Sequence, residues 1–254
     1  MSIDRRTFLR MTGLAGAAAA GTAAAACRET PGGEAFSAAP TGTRWAMAVD
    51  LDRCARAAGC TKCIDACHRT HNVPAVTEPG REVKWVWKEP FARAFPEQVA
   101  GPANRRLAEI PVLVLCNHCD AAPCVRVCPA GATWKRGDGL VMMDWHRCIG
   151  CRYCVAACPY GSRSFNWSDP RPAIAALNPA FPTRTKGVVE KCTFCEERLA
   201  DNRAPACVEA CDERALVFGN IADPQSGVRA AIDGRFSLRR RPELGTGPEV
   251  HYLV

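Results

Sequence analysis

Sixteen of the seventeen cysteines fall into four runs of four, and any fold for this chain must account for them. The runs are Cys54, Cys60, Cys63, Cys67; Cys116, Cys119, Cys124, Cys128; Cys148, Cys151, Cys154, Cys158; and Cys192, Cys195, Cys207, Cys211. The third reads C-x2-C-x2-C-x3-C-P, in which three thiolates reach three corners of one iron-sulfur cube and the fourth points to a second. Sixteen thiolates at four per cube predict four [4Fe-4S] clusters and a chain that carries single electrons. Zinc is the nearest rival, but four-thiolate zinc sites use two well-separated pairs, whereas here a third and fourth cysteine follow within a few residues. A disulfide framework would not pack thiols so densely.

The N-terminus constrains the compartment. Asp4-Arg5-Arg6-Thr7-Phe8-Leu9-Arg10 reads as a twin-arginine signal, with an Ala/Gly-rich apolar stretch from Met11 to Ala26 that is too short and too mildly hydrophobic for a membrane span. Residues 1–26 are therefore expected to be a signal peptide preceding a periplasmic protein. Cleavage after Ala26 would make Cys27 the first mature residue; Ala24 stands where a lipidation site usually has leucine.

The charge of the chain misleads until both features are included. The formal +7 comes from 33 basic and 26 acidic residues; without the signal, 30 face 25. Each oxidised cluster with four thiolates carries roughly −2, so the loaded protein is close to about −3. No basic run is interleaved with aromatics, which excludes a nucleic-acid surface, and Arg239-Arg240-Arg241 reads as a solvated tail or docking patch.

The expected fold class is α+β: two interleaved ferredoxin-like units, each holding two clusters, with irregular covering loops. The inner unit spans 112–168. Within it Thr133 to Lys135 and Leu140 to Asp144 flank the turn Arg136-Gly137-Asp138-Gly139, which predicts a hairpin. Cys154 to Cys158 predicts a short helix, and Ser162 to Trp167 a closing strand. The outer unit combines 45–75 with 186–220, closed by a strand over Ala215 to Phe218, within a four-cluster domain over 40–254. Residues 69 to 115, 166 to 187 and the tail 221–254 are expected to be irregular or extended cover, since proline and aromatics such as Pro79, Trp85, Trp87, Pro90, Phe91, Phe95 and Pro96 crowd the first of them. With only 7% aromatic residues, the clusters are expected to do much of the work of a core.

The four motifs, with C-x2-C-x4-C-x3-C in the second and C-x2-C-x11-C-x3-C in the fourth, resemble the four-cluster iron-sulfur subunits of the DMSO reductase superfamily. Ile64-Asp65-Ala66-Cys67-His68, His71-Asn72-Val73-Pro74, Lys84 to Glu89, Lys186 to Cys192 and Leu244-Gly245-Thr246 look like one branch of it, the periplasmic DsrO subunits of the membrane complex associated with dissimilatory sulfite reductase. The resemblance implies crossed ligation: Cys54, Cys60, Cys63 with Cys211; Cys192, Cys195, Cys207 with Cys67; Cys116, Cys119, Cys124 with Cys158; and Cys148, Cys151, Cys154 with Cys128. It implies two partners, a polytopic quinone-interacting membrane subunit and a multihaem cytochrome c, with the chain peripheral on the cytoplasmic membrane. It implies an electron-transfer subunit that is not catalytic alone and has no small-molecule substrate. The sequence departs from the family at Cys54-x5-Cys60 and at His68 and Asp212, which replace proline after Cys67 and Cys211. With sixteen thiolates available, His68, His71, His118 and His146 are read as tuning groups near sulfur. The competing reading is the electron-transfer subunit of a molybdopterin oxidoreductase.

Overall fold

The structure, a computed structural model, describes residues 42–57, 59–98 and 108–254. The expected signal peptide and Cys27 lie outside the described residues. In chain order the elements are β1 (Trp45–Asp50), α1 (Leu51–Arg56), α2 (Lys62–Thr70), β2 (Val86–Pro90), α3 (Phe91–Ala94), β3 (Pro111–Leu115), α4 (Pro123–Arg126), β4 (Thr133–Lys135), β5 (Val141–Met143), α5 (Tyr153–Ala157), β6 (Ser164–Phe165), β7 (Val189–Glu190), α6 (Glu196–Ala200), α7 (Ala206–Glu209), β8 (Leu216–Asn220), α8 (Gly227–Asp233), β9 (Ser237–Leu238) and β10 (Val250–Leu253).

Four small sheets and short helices make this a mixed α and β fold. The largest sheet has the order β8-β1-β10-β9, with β1 antiparallel to β8 and parallel to β10. Strand β1 is apolar on both faces because both are covered, as a central strand requires. Met47 and Val49 face the main core with Trp85, Leu113 and Tyr252, while Ala46 and Ala48 face Val228 of α8. Burying side chains as large as Met47 or Val49 is worth roughly 1.5–3 kcal/mol each. Asp50 ends the strand and caps α1 by accepting from the Arg53 N–H at 2.9 Å, so the chain turns into the first cysteine motif directly off the sheet. Strand β8 follows the last motif and pairs with β1 from Trp45↔Asn220 to Val49↔Leu216, which brings the two ends of the motif series together.

The hairpin read from the Arg136–Gly139 turn is present as β4 and β5, paired Thr133↔Met143 to Lys135↔Val141. Two segments expected to be irregular are not. Residues 86–90 and 111–115 form an antiparallel pair, and Trp85, Phe91 and Phe95 are buried. Proline stands at one end of this pair, Pro90 opposite Pro111, and the next backbone bond beyond it runs from the Phe91 N–H to the Ile110 carbonyl at 2.8 Å. The tail is likewise not merely extended: α8 covers β1, and β10 lies inside the sheet, with Tyr252 wholly buried. Arg240, expected in a solvated basic patch, is buried, donating to Glu89 at 2.6 Å.

His251 of β10 is buried, and its Nε2 accepts from Arg239 at 3.3 Å. Burial first, then the Arg239 and Arg44 charges, push its pKa down from 6.5 to about 4. The folded chain therefore keeps a neutral imidazole where the unfolded chain takes a proton, so this contribution is full above pH 6.5 and is lost as pH falls toward 4. Between pH 6.5 and 5 the loss should be about 1.5 kcal/mol. Chemical denaturation of His251→Gln beside the parent should show a shallower acid decline in the variant; parallel declines would contradict the assignment.

Candidate metal centre

Each motif ends in C-x3-C on, or just after, a short helix. The third and fourth cysteines are thus one turn apart on one helix face, with β-carbons about 6 Å apart. In α2 these are Cys63 and Cys67, both buried, while Asp65 and Arg69 point outward. Helix α2 packs on α7 of the fourth motif, and α4 of the second packs on α5 of the third. Face-to-face packing of this kind carries the fourth cysteine of one motif across to the first three of its partner.

The thiols gather into four quartets. Cys54, Cys60, Cys63 and Cys211 line one cavity of about 190 Å³, so the longer loop between Cys54 and Cys60 still returns Cys54 to its group. Cys67 faces Cys192, Cys195 and Cys207. Cys116, Cys119, Cys124 and Cys158 line a third cavity, and Cys128, Cys148, Cys151 and Cys154 a fourth whose other walls are mostly apolar. All sixteen are free cysteines, unbridged despite their proximity. Four soft sulfur donors and apolar walls fit a [4Fe-4S] core, whose chemistry when bound is one-electron transfer.

Burial first raises the proton affinity of Cys63, Cys67, Cys119, Cys192, Cys195 and Cys207, and neighbouring thiols add to it. Burial, then Cys54 and Cys211, push Cys63 up to about 11. Burial and Cys116 push both Cys119 and Cys192 up to about 12. Loading a quartet with metal must therefore expel protons. The backbone is bent around the thiols: His118, Arg152, Phe194 and Cys195 all have positive φ in the C-x2-C motifs, a conformation that costs non-glycine residues roughly 1–3 kcal/mol each. Backbone N–H groups of Phe194, Ala206 and Ala215 donate to the sulfurs of Cys192, Cys195 and Cys211 at 3.4, 3.3 and 3.3 Å. Gly150 is obligatory in Cys148-Ile149-Gly150-Cys151, since its φ is +71° and a β-carbon there would strike the Gly187 carbonyl.

The histidines are placed as neighbours of the quartets. His118 donates from Nε2 to the Cys192 carbonyl at 3.1 Å and accepts at Nδ1 from the Val141 N–H at 3.0 Å. Burial, then Lys191, hold its pKa well below 6.5, so it is a neutral brace between the second and fourth motifs. His71 lies 2.8 Å from the Cys67 carbonyl through Nδ1 and 2.9 Å from Glu197 through Nε2, stacked on Trp85. With Cys195 and Glu197 it forms a group of donor atoms within 4.8 Å of one another, at the edge of the second quartet. His146 is exposed.

Sequence reasoning missed the buried charges. Arg184 and Glu190 form an ion pair at 2.7 Å with both side chains wholly buried, and Arg184 also donates to the carbonyls of His71 and Asn72. Arg163 and Lys191 are buried beside thiols. A charged Glu190-Lys191 pair inside an apolar run leading to Cys192 was the available signal.

The 4Fe-4S dicluster domain family matches residues 112–172, and a second 4Fe-4S dicluster domain family matches 147–216. The chain is 41% identical to the Hdr-like menaquinol oxidoreductase iron-sulfur subunit 1 of Archaeoglobus fulgidus, over 98% of this chain and 97% of that one. It is 34% identical to the menaquinone reductase iron-sulfur cluster-binding subunit of Nitratidesulfovibrio vulgaris, over 83% of this chain and 88% of that one. It is also 34% identical to a tetrathionate reductase subunit of Salmonella typhimurium, over 100% of this chain and 89% of that one. Together with the thiol quartets, these relatives establish that the chain belongs to the family of ferredoxin-type 4Fe-4S electron-transfer subunits of quinone-linked oxidoreductase and reductase complexes.

Proposed function

We propose that the sixteen cysteines hold four [4Fe-4S] clusters in two interleaved ferredoxin-like units, with ligands crossing between the first and fourth motifs and between the second and third. The observation that carries this reading is the gathering of the thiols into four quartets, each drawing three cysteines from one motif and one from another. Neighbouring quartets also touch in series. Cys63 and Cys67 lie on one helix, the Cys192 thiol faces Cys116, and Cys154 faces Cys124. The inner members of the series are mostly buried, while Cys54, Cys60 and Cys211 at one end are half-buried and Cys151 at the other is exposed. Electrons enter at one end and leave at the other, and no bond chemistry is performed by the chain itself.

In the cell this is a periplasmic subunit exported by the twin-arginine route. It relays electrons between a quinone-interacting membrane subunit and a multihaem cytochrome c in a sulfur-metabolism-linked complex of the DsrO type. No helix among the described residues is long and apolar enough to cross a membrane, and partner subunits hold the chain there in this reading. The alternative, the electron-transfer subunit of a molybdopterin oxidoreductase, is favoured by the likeness to a tetrathionate reductase subunit along the whole chain.

Anaerobically isolated protein should contain about sixteen iron and sixteen acid-labile sulfide per chain. Cys211→Ser should disturb the centre of Cys54, Cys60 and Cys63 and leave the two inner centres spectroscopically intact. Stoichiometric zinc without sulfide, or a Cys211→Ser effect confined to the inner pair, would contradict the reading. Arg5→Lys with Arg6→Lys should trap a cytoplasmic precursor. The exported parent should co-purify with a polytopic subunit and a cytochrome c; a molybdopterin subunit without cytochrome would decide for the alternative.

A further inference from the structure

The buried cations of this fold fall into two groups. Arg184, Arg240 and Arg198 each face a carboxylate, Glu190 at 2.7 Å, Glu89 at 2.6 Å, and Glu209. Arg163, 4% exposed, and Lys191, 0% exposed, have no carboxylate within ion-pair distance among the described residues. Arg163 donates from Nη2 to the Cys124 sulfur at 3.2 Å and to Thr133 at 2.7 Å, and from Nη1 to the Met143 sulfur at 3.6 Å. Its charge also faces the thiols of Cys154 and Cys116. Lys191 donates to the Cys192 carbonyl at 2.7 Å and faces Cys116, Cys192 and Cys124.

A buried charge without a partner is strongly unfavourable, and a guanidinium does not escape by losing its proton. Both side chains converge on one quartet, because Cys116 and Cys124 appear in the surroundings of each. Arg163 also reaches Cys154 of the fourth quartet, and Lys191 reaches Cys192 of the second, but the third is the quartet whose thiols face both cations. The first has Lys88 and Lys62 offset by Asp212 and Glu213 around its cavity. In the second, Glu197 faces Cys192 and Cys195. The fourth has the exposed Cys151 in contact with solvent.

We propose that Arg163, assisted by Lys191, is a positioning residue for electrons: it makes the centre held by Cys116, Cys119, Cys124 and Cys158 the highest in reduction potential and the first to be reduced. The proposal rests on the reading that the quartets hold [4Fe-4S] clusters. A fixed positive charge in a water-poor site stabilises the state with one more electron, and the interior position protects that effect from salt. Reduction adds one electron from a one-electron donor, dithionite in the test, with no bond made or broken. The third quartet then acts as the well in which an electron arriving from either end comes to rest.

The experiment is a mediated redox titration of the intact protein followed by electron paramagnetic resonance, in the parent, Cys54→Ser, Cys148→Ser, Cys158→Ser, Arg163→Gln, Arg163→Lys and Lys191→Met. In the parent, the signal that appears first should be the one altered or lost in Cys158→Ser, and not the one altered in Cys54→Ser or Cys148→Ser. Arg163→Gln should lower that first potential by at least about tenfold in the reduction equilibrium, ~59 mV for a one-electron couple. Lys191→Met should lower it in the same direction, and Arg163→Lys should retain most of the parent value. Were Arg163→Gln to lose iron, the assignment of the first signal in the parent and the Lys191→Met shift still decide. A first-reduced signal indifferent to Cys158→Ser, or an unmoved potential in iron-replete Arg163→Gln and Lys191→Met, overturns the proposal. Neither result would touch the cluster reading, which fails only if iron and sulfide are absent.

Discussion

Burial in water-poor pockets raises the proton affinity of Cys63, Cys67, Cys119, Cys192 and Cys207, and neighbouring thiols raise it further. Cys119 and Cys192 reach about 12, so they ionise only when a cation enters. That constraint organises the molecule. It explains why N–H groups are turned toward sulfur through strained left-handed residues, and why Arg163 and Lys191 stand beside thiols without carboxylates. The fold supplies partial charges and fixed cations where anionic sulfur would otherwise be unsupported.

The sheet and the quartets depend on each other. Strand β1 delivers the chain into the first motif, and β8 receives it from the last, so the pairing of these strands fixes which helices face one another. The tail completes the arrangement. Strand β10 fills the centre of the sheet, and the Gly247 and Thr246 carbonyls accept from the Asp120 and Ala121 N–H groups at 2.8 and 2.9 Å, bracing the second motif. Thr246 also hydrogen-bonds Tyr160, which follows Cys158 closely, so the tail touches both motifs of the inner pair.

The sequence was most legible where chemistry is local. Cysteine spacing marked all sixteen thiols, and the Arg136–Gly139 turn marked the β4–β5 hairpin, because each signal lies within a few residues. Which motif faces which came only from resemblance, since spacing cannot say how α2 meets α7. Strand β2 was hidden by prolines that read as breakers although Pro90 and Pro111 stand together at one end of its pair, and β10 by its four-residue length and the histidine within it. Arg240 and Glu89 are separated by 151 residues, and Arg163 and Cys124 by 39, so neither contact had a local signature. The feature proposed to set the electron's resting place was therefore the least readable of all.

The central claim is that each quartet encloses its own iron-sulfur core and that the quartets are built by crossing between motifs. Anomalous diffraction at the iron edge from anaerobically grown crystals tests it most directly. The account predicts four compact iron sites, one inside each quartet, with the Cys211 sulfur bound to the site shared by Cys54, Cys60 and Cys63. Single scatterers at the zinc edge, or Cys211 bound with Cys192, Cys195 and Cys207, would contradict it.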